Sequence, residues 1–139
     1  MAYPSEAVEA QGTILRIKNT AATPVFVEIG EIKNFSGPGG SASVIDVSTL
    51  QSERREKRMG LPDEGQLTFS GNRVFADAGQ VAFRAARAAR RKAEFEIEYP
   101  DGTVASFDGF ALEFTTSGGV DGVLEFSATI EITGELTEA

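Results

Sequence analysis

Across residues 123–133, polar and apolar side chains alternate without a break for eleven residues. Leu124, Phe126, Ala128, Ile130 and Ile132 fall on one face, and Val123, Glu125, Ser127, Thr129, Glu131 and Thr133 on the other. Successive side chains of an extended chain point to opposite faces, so this period-2 pattern demands a strand with one apolar and one wet face. A typical strand has ~5–6 residues. One this long needs an equally long partner, and the preceding segment supplies it. Residues 103–116 read as a second long strand, with a bulge expected at Asp108-Gly109. Ala105 and Phe107 share a face before that bulge, and Phe110, Leu112 and Phe114 after it. Ser117-Gly118-Gly119 and Asp121-Gly122 form the turn between the two strands.

The same logic extends towards the amino terminus. Phe95, Ile97 and Tyr99 alternate with Glu94, Glu96 and Glu98, and Pro100-Asp101-Gly102 closes that strand with hairpin chemistry. Leu15 and Ile17 oppose Arg16 and Lys18 in a strand over 13–18. Val25, Val27 and Ile29 mark a second, which 32–35 continues after a bulge at Gly30. A glycine-rich turn spans 36–41, a short β-branched strand 44–50, and an alternating strand 66–70. Residues 51–60 carry charge without apolar periodicity and are expected to form a long exposed loop. One helix is expected over 77–91. Asp77 is its N-cap, and Gln80 completes a capping-box pattern. Val81, Ala82, Ala85, Ala86 and Ala89 make a narrow stripe against the sheet, with Phe83 off its centre. The sum is about seven strands and one helix: an all-β fold with one flanking α-helix, an antiparallel β-sandwich or open barrel. At 139 residues a single domain over 1–139 is expected, with 1–11 as a flexible N-terminal arm.

Composition narrows function. The chain has no histidine and no cysteine. That removes the commonest general base, the usual zinc ligands and every Ser-His-Asp or Cys-His arrangement. Gly37-Pro38-Gly39-Gly40-Ser41 lacks the Lys-Ser/Thr of a phosphate loop. The carboxylates sit on the wet faces of strands, where a solvated carboxylate is the default. Neither Asp101-Gly102-Thr103 nor Asp121-Gly122 clusters enough oxygens for calcium. No enzyme, cofactor or metal is therefore expected. No stretch reaches the ~20 apolar residues of a spanning helix. The first eleven residues lack the basic start and apolar core of a signal peptide, so synthesis in the cytoplasm is expected.

Net charge is −8, unevenly spread. Residues 53–58 and 84–92 hold nine of the thirteen basic side chains and two acids, which leaves the remainder at −15. An acidic body repels nucleic acid broadly. Arg84, Arg87 and Arg91 share a helix face, but the reading preferred over a nucleic-acid contact is pairing with acidic surface, on this subunit or the next.

The order of segments resembles the tail tube (major tail protein) family of siphovirus phages. It is carried by Val27-Glu28-Ile29-Gly30-Glu31-Ile32-Lys33-Asn34-Phe35-Ser36-Gly37-Pro38-Gly39-Gly40-Ser41-Ala42 and by Ile45-Asp46-Val47-Ser48-Thr49-Leu50. A charged loop follows, then Arg58-Met59-Gly60-Leu61-Pro62-Asp63-Glu64-Gly65, Asp77-Ala78-Gly79-Gln80 and an alanine-arginine helix. Tyr99-Pro100-Asp101-Gly102-Thr103 and Ser117-Gly118-Gly119-Val120-Asp121-Gly122 complete it, so that the resemblance covers roughly 25–135. It implies a tail tube fold that forms hexameric rings stacked into the conduit for DNA ejection, in the virion tail and without the extra immunoglobulin-like domain of some relatives. By position it makes the loop residues Arg54, Arg55, Lys57 and Arg58, and the arm 1–11, contacts between rings. Glu94, Glu96, Glu98, Glu125 and Glu131 become candidates for an acidic lumen. The implied partners are further copies of the chain and tape-measure, tail terminator and baseplate or tip proteins. Genomic DNA would pass without specific binding, and no membrane is involved. Two alternatives are the tube of a contractile injection system and a soluble β-sandwich module for carbohydrate. The latter wants exposed aromatic platforms, and the chain has no Trp and two Tyr.

Overall fold

A computed structural model of the chain describes residues 11–20 and 23–139. Among these are nine strands and one helix: β1 Ile14–Lys18, β2 Phe26–Glu28, β3 Ile32–Ser36, β4 Ser41–Asp46, β5 Lys57–Asp63, β6 Gln66–Asn72, α1 Ala78–Ala89, β7 Lys92–Glu98, β8 Val104–Ser117 and β9 Glu125–Glu138. Seven strands form one antiparallel sheet in the order β2-β1-β7-β8-β9-β6-β3, and β4 and β5 form a separate ribbon. The two longest strands, β8 and β9, have 14 residues each and pair from Ser117↔Glu125 to Ala105↔Glu138.

Chain connectivity bends the sheet. β2 and β3 lie at its opposite edges, yet only Ile29, Gly30 and Glu31 separate them. Four extended steps, from Glu28 to Ile32, span at most about 14 Å. Seven flat strands would hold their outer members about 29 Å apart, at roughly 4.8 Å per strand. The sheet therefore curls into a half-barrel, and the link closes its mouth. Ile29 N–H donates to the Leu15 carbonyl on one side, and Asn72 N–H to the Glu31 carbonyl on the other. Glu31 takes a left-handed conformation, φ 63°, to make this turn.

Helix α1 docks on the link. Asp77 caps it, its Oδ2 accepting from Gln80 N–H at 3.0 Å and from Gly30 N–H at 3.1 Å. The Gln80 side chain, wholly buried, donates to the carbonyls of Gly30 and Asn72 and accepts from Val74 N–H and Arg73. Only half of the expected capping box forms, because Gln80 spends its amide joining three segments rather than returning to Asp77. Gly79 is needed for close approach: a Cβ there would fall on the Glu28 carbonyl and Ile29 Cα. Phe83 is fully buried and touches three aromatic rings, Phe69 edge-on at 5.5 Å, Phe114 at 5.8 Å and Phe95 at 6.3 Å. The remaining core comes from the concave face of the sheet, including Leu15, Ile17, Leu67, Ile97, Ile130 and Phe126.

Several expectations need correction. Residues 32–35 do not extend the second strand; they open a strand on the far edge, because Gly30 is the crossing point rather than a bulge. Asp108-Gly109 is no bulge of β8. Gly109 faces the core, where a Cβ would lie 2.7 Å from Ile130 Cγ2, so the glycine serves strand packing. The irregularity there belongs to β9, around Gly134 at φ 80°. The β8 bulge falls at Leu112, between Ala111↔Ile130 and Glu113↔Thr129. Phe110 and Leu112 are consequently exposed, and only Phe114 of that trio packs against the core. On α1 the buried face is Gly79, Gln80, Phe83 and Ala86, so Phe83 is central and Val81, Ala85 and Ala89 face outward. The helix ends earlier than expected, with Arg90 as a left-handed cap at φ 55°. The expected arm lies outside the described residues apart from Gln11.

Phe83→Ala removes the ring that ties helix to sheet, and it should lower unfolding free energy by about 3–5 kcal/mol in urea titration. Gln80→Leu keeps the volume but strands two carbonyls and the Val74 N–H. At about 1–3 kcal/mol for each buried group left unpaired, it should destabilise the fold at least as much as Phe83→Ala.

Candidate functional site

Among the described residues no catalytic constellation stands out, and the candidate site is surface. Among the described residues no three His, Cys, Asp or Glu side chains gather in a metal-binding arrangement. Two features stand out: the β4–β5 ribbon and the wet face of the half-barrel.

The ribbon corrects the loop expected over 51–60. Lys57 and Arg58 begin β5, opposite Asp46 and Ile45, and the strand runs on through Pro62. Only the stretch between Asp46 and Lys57 is loop. The pattern was concealed by Gly60, Pro62 and the charge density, although Met59 and Leu61 alternate and carried the signal. Proline is tolerated here because a two-stranded ribbon has outer edges with no ladder to complete. The ribbon's main approach to the large sheet is between β5 and β9. Its apolar residues are left in solvent: Leu61 is 93% exposed, Met59 75% and Val44 66%. A groove of about 560 Å³ runs along it, lined by Ala42, Val44, Met59 and Pro62 with Lys57 and Arg58. The loop is ordered at its base by polar contacts. Arg55 donates to Asp46 at 2.8 Å, and Glu56 N–H to the Ser48 hydroxyl at 2.7 Å. Ser48, through its backbone N–H first and its side chain second, holds the Asp46 carboxyl below its ordinary pKa, with a smaller contribution from Arg55. Arg54, Arg55, Lys57 and Arg58 thus gather at one end of the ribbon, all exposed, and Arg55 alone of the four makes an ion pair among the described residues.

The five glutamates singled out in the sequence do share one face, opposite the core, but they are not a bare acidic wall. Arg16 donates to Glu96 at 2.9 Å and to Glu98 at 3.0 Å. Lys18 lies 2.8 Å from Glu94, and Lys33 3.1 Å from Glu125. Glu131 accepts from the Gln66 amide at 2.7 Å. Burial alone would lower the Arg16 pKa; its hydrogen bonds to Glu98 and Glu96, with their negative charge, outweigh that, and the net shift is upward. These partners come from β1, β3 and β6, strands remote in sequence from β7 and β9, so the alternation showed the face and not its pairing. Phe110 also opens onto this face, opposite Lys92 and Glu131.

Comparison with known proteins places this architecture. The family model for lambda-like phage tail tube proteins matches residues 6–106. No curated protein matches the chain in sequence. Among solved structures, a chain from the tail of an empty gene transfer agent particle, refined with C6 symmetry, aligns with a TM-score of 0.77 at 17% identity, covering 96% of this chain and 99% of that one. The SPP1 tail tube aligns at 0.72 and 15% identity, over 95% of this chain and 78% of that one. A chain of the sheath-tube complex of an extracellular contractile injection system aligns at 0.71 and 11% identity, over 96% and 92%. These three share the fold; the family model covers well over half of the sequence. The chain belongs to the lambda-like phage tail tube family.

Proposed function

We propose that this tail tube subunit polymerises as hexameric rings stacked into a hollow conduit, through which genomic DNA passes without specific binding. The observation that carries this is the β4–β5 ribbon. An isolated two-stranded hairpin is marginal in water, and this one leaves Val44, Ile45, Met59 and Leu61 uncovered. A ribbon of that composition finds its stability against a neighbour. The six-fold symmetry of the gene transfer agent tail supports the ring number. The edge strands β2 and β3 keep backbone groups that a neighbouring copy can pair with, which turns an aggregation liability into an assembly contact.

On this reading Arg54, Arg55, Lys57 and Arg58, with the apolar ribbon beside them, bind the next ring. Glu94, Glu96, Glu98, Glu125 and Glu131 line the lumen together with Arg16, Lys18 and Lys33, a surface of fixed ion pairs with an acidic excess. The role is structural, with no chemical step and no cofactor. Tape-measure protein would occupy the lumen before ejection, and terminator and baseplate or tip proteins would cap the two ends. A second reading, the tube of a contractile injection system, is supported by the likeness to such a tube; a sheath gene beside this one would favour it.

Charge reversal of the loop (Arg54, Arg55, Lys57 and Arg58 all to Glu) should leave rings but abolish long stacks in negative-stain images. Leu61→Ala removes part of the apolar contact. Full burial of a leucine is worth about 1.5–3 kcal/mol, so the critical concentration for tube growth should rise about 10-fold or more, as read by sedimentation. Wild-type chains that stay single at high concentration would overturn the tube reading.

A further inference from the structure

Outside the β4–β5 ribbon and its loop, where Arg55 alone makes an ion pair among the described residues, the cations of this chain divide into two populations. Those of the wet face, Arg16, Lys18, Lys33 and Lys92, each lie within ion-pair distance of a carboxylate. Those around the helix, Arg73, Arg84, Arg87, Arg90 and Arg91, make no ion pair among the described residues, in a chain of net charge −8. Arg73 is the sharpest case. It is 8% exposed and its guanidinium is sandwiched between Phe75 at 4.2 Å and Phe114 at 5.0 Å. It donates to Gln80 and the Val74 carbonyl, and its buried Nε has no acceptor. Burial, then the neighbouring charge of Arg84, lowers its pKa. Arg87 is tied to the Leu112 carbonyl at 3.2 Å. The result is a cationic face bordered by Phe75 (64% exposed) and Leu112 (48%), whose arginines make no ion pair among the described residues.

One group of unpaired carboxylates lies at the other end of the β8–β9 hairpin. Glu135 and Glu138 near the end of β9, and Asp101 in the β7–β8 turn, are exposed and make no ion pair among the described residues. Strand β8 separates the two regions, running from Val104, beside the acidic end, to Leu112 and Phe114, beside the arginines. One molecule cannot join its own opposite ends, whereas two copies can.

We propose that the helix arginine face of one copy docks on the Asp101-Glu135-Glu138 end of another, a head-to-tail contact between tube subunits separate from the β4–β5 ribbon. It rests on the tube reading above. A contact between two different patches either closes a ring or propagates as a stack, and a tube uses both.

The test is a charge swap on the full chain, read by negative-stain microscopy and sedimentation. Arg84→Glu with Arg87→Glu should cut polymer mass at least 10-fold, and Glu135→Arg with Glu138→Arg should do the same. Combining all four changes in one chain, or mixing the two variants, should restore assembly. Far-UV circular dichroism and melting confirm folding. Arg84→Glu alone, whose side chain makes no hydrogen bond among the described residues, keeps the test readable if the double variant is unstable. Normal assembly of either pair variant, or loss without rescue by the swap, overturns the proposal. Rescue of the Arg84→Glu, Arg87→Glu variant by Glu6→Arg with Glu9→Arg, in place of the Glu135 and Glu138 changes, also overturns it, assigning the arginines to the amino-terminal segment. Retardation of DNA by wild-type chains, lost in Arg84→Glu with Arg87→Glu, would overturn it in favour of nucleic acid. Failure of wild-type chains to assemble at all refutes the underlying tube reading instead.

Discussion

Three residues set the shape of this protein. Ile29, Gly30 and Glu31 carry the chain from one edge of a seven-stranded sheet to the other, and so short a bridge forbids a flat sheet. Curvature, a mouth for the helix to fill and a concave core all follow. The hydrogen bonds confirm where the constraint is enforced. Asp77 and Gln80, at the start of the helix, hold both the N–H and the carbonyl of Gly30. The helix contributes little apolar area beyond Phe83 and Ala86. It is fixed by a polar clasp at one end and a single phenyl ring in its middle.

How much of this could be read in advance depended on the range of the interaction. The β9 alternation is local and dictates a strand wherever it folds; Asp77 as a helix cap is local too. The crossing at Gly30 is not, because nothing in Val27-Glu28-Ile29-Gly30-Glu31-Ile32 distinguishes one continuing strand from two on opposite edges. The Leu112 bulge failed for a related reason. Phe110, Leu112 and Phe114 look like one apolar face, and only pairing with Ile130, Thr129 and Ala128 reveals which residue is left over. The first strand of the ribbon was legible, as 44–50 against the observed Ser41–Asp46, but β5 was not, because composition outweighed period: Lys57 and Arg58 beside Gly60 and Pro62 read as loop. The ribbon's apolar residues Val44, Ile45, Met59 and Leu61 are exposed, so no burial within the chain marks it in the sequence.

The glutamates of the wet face were legible as a set, since period 2 places Glu94, Glu96 and Glu98 together. Their partners were not. Arg16 reaches Glu96 and Glu98 across some eighty positions of sequence. Each exposed pair contributes about 0–1 kcal/mol to stability, so the ladder does little to hold the fold. What it does is fix where charge sits on a face that would otherwise carry loose carboxylates.

That arrangement has a thermodynamic corollary. Much of the affinity of proteins for nucleic acid comes from cations that displace the mobile ions condensed on phosphate, one released ion for each contact. Arg16, Lys18 and Lys33 are already committed to carboxylates a few ångströms away. Engaging a phosphate would require each to give up a bound oxygen first, at a cost of about 0–1 kcal/mol per exposed pair, and would leave a bare carboxylate beside the polyanion. On this chain's wet face the five glutamates outnumber Arg16, Lys18 and Lys33, so the net field towards a polyanion is repulsive and weakens as salt screens it.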